Sequence, residues 1–127
     1  MNADPSVARQ LTLHLEELTQ LVEECEAAIR AAKEAACDSE TLRSSRATQQ
    51  RTQLLLRHAA DSIDAVIRKA KAAKGASLDI RPKHQGDRER LRGLRDLAAS
   101  VLSEYQGHAK DCRDQLAMVA IMQRVAR

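Results

Sequence analysis

The sequence predicts an all-α fold, an antiparallel up-down-up bundle of three long helices. One observation is the spacing of apolar residues. A first stretch runs Leu11, Leu15, Leu18, Val22, Cys25, Ile29, Ala32, Ala36. Another runs Leu91, Leu94, Ala98, Val101, Tyr105, His108, Cys112, Gln115, Val119, Met122, Ala126. Steps of three and four return each row to one helix face with a mean period near 3.5, the period of helices packed side by side at shallow angles. A second observation is aromatic poverty. Phe and Trp are absent and Tyr105 is the one aromatic residue, so the core is built from Leu, Ile, Val, Ala and Met, which favours close helices over a wide ligand cavity.

Taken in order, the first helix is expected over about 5–37. Asp4 is placed to cap it and Pro5 to occupy its first turn, where a missing N–H costs nothing. Asp38 and Ser39 are the expected caps of a second helix over 39–74. Its stripe reads Leu42, Ser45, Gln49, Thr52, Leu56, Ala59, Ile63, Val66, Ala70, Ala73, and its polar first half predicts a looser end of the bundle. Gly75, Pro82 and Gly86 interrupt the pattern and predict a loop over 75–86. Asp87 is the expected cap of a third helix over 87–126. Leu18, Ile29, Ile63, Leu94, Val101 and Val119 are the expected core, and residues 1–127 form one domain.

Composition narrows the function classes. Cys25, Cys37 and Cys112 are odd in number and lack short paired spacing, which fits a reduced, cytosolic chain better than a disulfide framework. No apolar run reaches the length of a membrane span, and the first ten residues carry no targeting pattern, so the chain is expected to be soluble. Charge is unevenly placed. Residues 16–40 hold eight acids against Arg30 and Lys33, whereas residues 68–95 hold ten basic residues against Asp79, Asp87 and Glu89. The basic excess has a plain reading, a solvated face complementary to the acidic helix. Its sharper reading is an anionic-partner or lipid patch of Arg81, Lys83, Arg88, Arg90, Arg92 and Arg95. With no zinc finger, no RNP motif and no aromatic platform beyond Tyr105, nucleic acid is not an expected partner.

Chemistry-bearing motifs are missing. The sequence has no P-loop, GxGxxG, HExxH, CxxC or GxSxG, and no enzyme activity or cofactor is expected. His108 and Cys112 are spaced as an i,i+4 metal pair that Cys25 or His14 would complete. Both sit on the apolar stripe, which assigns them to the core, and no metal is expected. The pairs Asp61/Asp64 and Glu23/Glu26 have no catalytic partner and read as solvated.

A resemblance supplies the functional expectation. The segment Asp87-Arg-Glu-Arg-Leu-Arg-Gly-Leu-Arg-Asp-Leu-Ala-Ala-Ser-Val-Leu-Ser-Glu-Tyr-Gln106 resembles the third helix of the syntaxin N-terminal domain. There a basic-polar start leads into an "MSEYN"-like segment, matched here by Val101-Leu-Ser-Glu-Tyr-Gln106 and continued by Lys110-Asp-Cys-Arg-Asp114. Leu56 to Lys69 resembles that family's second helix, a polar helix with isolated aliphatics and a basic end. The likeness spans residues 7–124 in architecture and 87–114 in sequence. It implies the three-helix Habc regulatory domain of a Qa-type SNARE. Such a domain binds its own SNARE helix, in cis or in trans, or a Sec1/Munc-type protein, and so governs SNARE-complex assembly in vesicle fusion. The full-length protein would then lie on the cytoplasmic face of a membrane through a C-terminal anchor outside these residues, and the isolated domain would be monomeric. The start departs from the family in lacking an Arg-Thr-containing N-peptide and a Phe-rich first helix. Apolar residues flanking the core stripe suggest the binding groove: Ala60 and Ile67 on the second helix, and Leu102, Ala109 and Leu116 on the third. A small helical secretion or export chaperone, or an adaptor bundle offering an apolar groove, is the alternative reading.

Overall fold

The computed structural model describes the backbone of residues 4–40 and 46–125, and the side chains of 4–36 and 46–124. The fold is a bundle of three helices, α1 (Pro5–Glu40), α2 (Arg46–Asp79) and α3 (Gln85–Val125). At 1.5 Å per residue they are about 54, 51 and 62 Å long. Cross-links between side chains set the direction of each. Glu17 pairs with Lys69, and Thr52 donates to the Ala35 carbonyl, so α1 and α2 run antiparallel. Cys112 donates to the Leu56 carbonyl at 3.2 Å and Gln123 to Gln53 at 3.2 Å, so α2 and α3 do likewise. The up-down-up topology follows.

The α2 stripe reads almost without error. Gln49, Thr52, Leu56, Ala59, Ile63, Val66, Ala70 and Ala73 are all buried, and Ser77 adds one more turn. Leu42 and Ser45 lie outside the described residues. In α3, Leu91, Leu94, Ala98, Val101, Tyr105, Cys112 and Val119 are buried, His108, Gln115 and Met122 are half-buried, and Ala126 is outside the described side chains. In α1 only alternate members are closed. Leu11, Leu18, Cys25 and Ala32 are buried, whereas Leu15, Val22, Ile29 and Ala36 are half-buried and Ala28 and Ala35 are buried instead. The reason is asymmetry. α2 packs along the length of both neighbours, while α1 and α3 meet far less. The α1 flank turned to α2 is therefore closed and the other stands partly open. Ile29, expected in the core, is corrected to the edge of that opening.

Boundaries moved in three places. Asp38 and Ser39 belong to α1 rather than capping α2, which starts at Arg46. Gly75 does not break α2. One glycine inside a helix costs about 1 kcal/mol, and continuing past it places Ser77 in the core with its hydroxyl on the Lys74 carbonyl. The connection shortens to residues 80–84, and α3 begins at Gln85.

Asp87 is accordingly not the cap but a first-turn residue of α3, and it is fully buried. Its carboxylate accepts the Asp4 backbone N–H at 2.7 Å and the Arg90 guanidinium at 3.2 Å. Asp4 caps α1 as expected, its own carboxylate accepting Ser6 N–H at 2.9 Å. One buried carboxylate thus pins together the N-terminal ends of α1 and α3.

Candidate functional site

Three regions bear on function, and the sequence pointed to two of them. On the α2–α3 seam, Ala60, Ile67, Leu102, Ala109 and Leu116 are half-buried and packed on the main core. Their helical phase puts them on one flank, α2's toward α3 and α3's toward α2. The spacing of seven between Leu102, Ala109 and Leu116 aligns them along the seam. They form a row of aliphatic edges. The flanking Gln53–Gln123 hydrogen bond closes one end of it.

Between α1 and α3, over α2 as floor, is a cleft of about 230 Å³. Leu56, Ala59 and Ile63 line its bottom, Ile29, Ala32 and Lys33 its α1 wall, and His108, Asp111, Cys112, Asp114 and Gln115 its α3 wall. Heptad reading missed it because a stripe position is scored as apolar whatever its size. Ala32 and Ala59 are the signal that was available: alanine on a seam leaves volume where leucine would fill it.

Around this cleft the side chains with reactive chemistry are held quiet. Cys112 is buried and bonded to Leu56, and burial pushes its thiol above the ordinary range. Cys25 is buried on the facing helix and burial, with Glu26 and Cys112 nearby, raises its thiol to about 11. Such thiols are poor nucleophiles near neutrality. Burial also raises Tyr105 to about 12, and its hydroxyl has no hydrogen-bond partner among the described residues. His108 packs edge-on against the Tyr105 ring at 5.1 Å, with Nε2 3.4 Å from Glu104. His108 and Cys112 both line the α3 wall of the cleft. Among the described residues no three His, Cys, Asp or Glu side chains gather as a metal site. Cys37 belongs to α1 by its backbone, and its side chain lies outside those described.

The basic residues divide. Arg81, Arg88, Arg92 and Arg95 line an open cleft of about 430 Å³ at the corner where α2 turns into α3, together with Ile80, Pro82, Leu91 and Asp96. Arg90 is drawn away to Asp87 and borders the α1 side of the bundle, beside Ala8 and Thr12. Lys83 is exposed on the connection. Among the described residues, the charge complementarity expected between the acidic first helix and the basic segment is realised in one ion pair, Glu17–Lys69, which holds Glu17 below the usual carboxylate range.

No described helix is long and apolar enough to cross a membrane. No protein-family model, curated protein or solved structure matches the chain.

Proposed function

We propose that this chain is a non-enzymatic regulatory domain that binds an amphipathic helix, in the manner of the syntaxin N-terminal domain, and so controls SNARE assembly. The observation that carries the reading is the half-buried aliphatic row Ala60, Ile67, Leu102, Ala109 and Leu116 along the α2–α3 seam. A partner helix with apolar residues at i, i+3, i+4 and i+7 would cover that row. The likeness of residues 87–114 to the third syntaxin helix supports the finer assignment, with a SNARE helix or a Sec1/Munc-type protein as partner. One observation favours a second reading, an adaptor or export chaperone. The α1–α3 cleft is the better-formed apolar hollow, and it is rimmed by Lys33, Asp111 and Asp114.

Titration with a SNARE-motif peptide, followed by amide NMR, tests the proposal and separates the two. Shifts along α2 and α3 that vanish in Leu102→Glu or Leu116→Glu, with the fold retained, are the expected result. Shifts confined to Ala32, Ala59 and Gln115 would transfer the site to the other cleft. Unmoved signals in the presence of excess peptide would refute the SNARE-helix assignment.

A further inference from the structure

The corner cleft gathers cationic side chains that the fold leaves unneutralised. Among the described residues, Arg81, Arg88, Arg92 and Arg95 have no ion-pair partner, although Asp96 shares their cleft. Two of the four are held in place by neutral acceptors. Arg95 donates to the carbonyl of buried Ser77 at 3.0 Å, and Arg88 donates to the Pro82 carbonyl at 3.5 Å. These bonds orient the guanidinium groups without cancelling their charge, and each keeps further N–H groups for a ligand. Arginine forks of this kind suit phosphate oxygens, which take paired N–H donors.

A further feature of the corner selects the source of the phosphate. Leu78, at the end of α2, is 63 % exposed, and Ile80 in the cleft wall is half-buried. An exposed leucine three residues before the first of these arginines matches a membrane surface, where headgroups neutralise the cations and the leucine enters the acyl boundary. A free phosphate gives the leucine nothing to enter, and a phosphorylated peptide offers it no acyl layer.

We infer that the α2–α3 corner is a membrane-contact site for anionic phosphate headgroups, with Arg81, Arg88, Arg92 and Arg95 as the phosphate donors and Leu78 as the inserting side chain. This inference is independent of the helix-binding reading, which concerns the seam further along the bundle.

Co-sedimentation of the full chain with phosphatidylcholine vesicles, with and without a minor fraction of bisphosphorylated phosphoinositide, is the test. The expected result is binding that requires the phosphoinositide and weakens with added salt. Neutralising Arg92 (Arg92→Gln) should lower the partition coefficient roughly fivefold, from about 1 kcal/mol per basic residue at an anionic surface. The double variant Arg81→Glu/Arg92→Glu should abolish binding. Arg113→Glu, an exposed change of the same sign on the far half of α3, should leave it near the wild-type value. Leu78→Asn, which adds no charge, should weaken vesicle binding and leave the affinity for soluble inositol bisphosphate unchanged. Unchanged circular dichroism verifies that each variant is folded. Losses that follow net charge alone, with Arg113→Glu weakening binding at least as much as Arg92→Gln, would overturn the site. Binding of soluble inositol bisphosphate or of a phosphopeptide without any binding to vesicles would overturn the membrane assignment.

Discussion

Replacing Asp87 by Ala should be among the costliest single changes outside the aliphatic core. The side chain is fully buried, and its carboxylate holds the Asp4 N–H at 2.7 Å and the Arg90 guanidinium at 3.2 Å. Truncation removes two charge-assisted hydrogen bonds and leaves a part-buried backbone donor without an acceptor. A hydrogen bond to a charged group contributes about 1.5–3 kcal/mol, and an anion in a first helical turn about 0.5 kcal/mol more. Relief from burying a carboxylate offsets part of that sum. The net expectation is a loss of about 2–3 kcal/mol, or roughly 8–12 °C in Tm for a chain of this length. Asp87→Asn keeps the shape and one acceptor oxygen, and should lose about 1 kcal/mol. Urea unfolding followed by circular dichroism measures both, as a lowered midpoint at constant slope. Hydrogen exchange adds a local signature, because the first turn of α1 should lose protection before the rest of the helix. If both variants unfold within about 0.5 kcal/mol of wild type, the carboxylate does not tie α1 to α3, and the account of that end of the bundle is wrong.

Two further outcomes follow from burial. Val101→Ala should destabilise by about 1–2 kcal/mol, through lost transfer energy and a residual cavity, whereas Ile29→Ala, at the rim of the open cleft, should cost less than Val101→Ala although it removes more volume. Equal or reversed costs in denaturant titrations would contradict the placement of Ile29. Cys25 and Tyr105 have folded-state pKa values raised to about 11 and about 12, above the ordinary values of 9.0 and 10.0, so the folded state holds protons that the unfolded state releases. Their contribution is complete below pH 9 and is lost as pH climbs, between about 9 and 11 for Cys25 and about 10 and 12 for Tyr105. Stability should therefore fall on the alkaline side, and thiol labelling of Cys25 and Cys112 should be slow near pH 8. Rapid labelling of both at that pH would show that they are not buried.

How much was legible depended on which force governed each feature. Periodicity placed the helices because one-sided apolar spacing has no other low-energy solution, and the α2 stripe from Gln49 to Ala73 closed as written. Asp4 capped α1 for a reason local to four residues. The basic residues of the α2–α3 corner were visible as a run, but their division was not. Arg90 turned instead to Asp87 one turn back on its own helix, and the burial of that carboxylate shows only in the assembled fold.

Other features were set by contacts between distant residues. Gly75 reads as a breaker, yet the helix continues because the core beyond it, at Ser77, offsets the propensity cost. Asp87 reads as a cap, yet it joins two helix ends 83 positions apart in sequence. The α1–α3 cleft arises because α2 takes most of the packing of both neighbours and alanines at 32 and 59 leave the third seam unfilled. The sequence by itself determined the number of helices and the inward face of α2, because these depend on spacing along one chain. Which seams close tightly, and the capture of the Asp4 N–H by Asp87, were decided by tertiary structure alone, because both depend on side-chain volumes and donors brought together from distant parts of the chain.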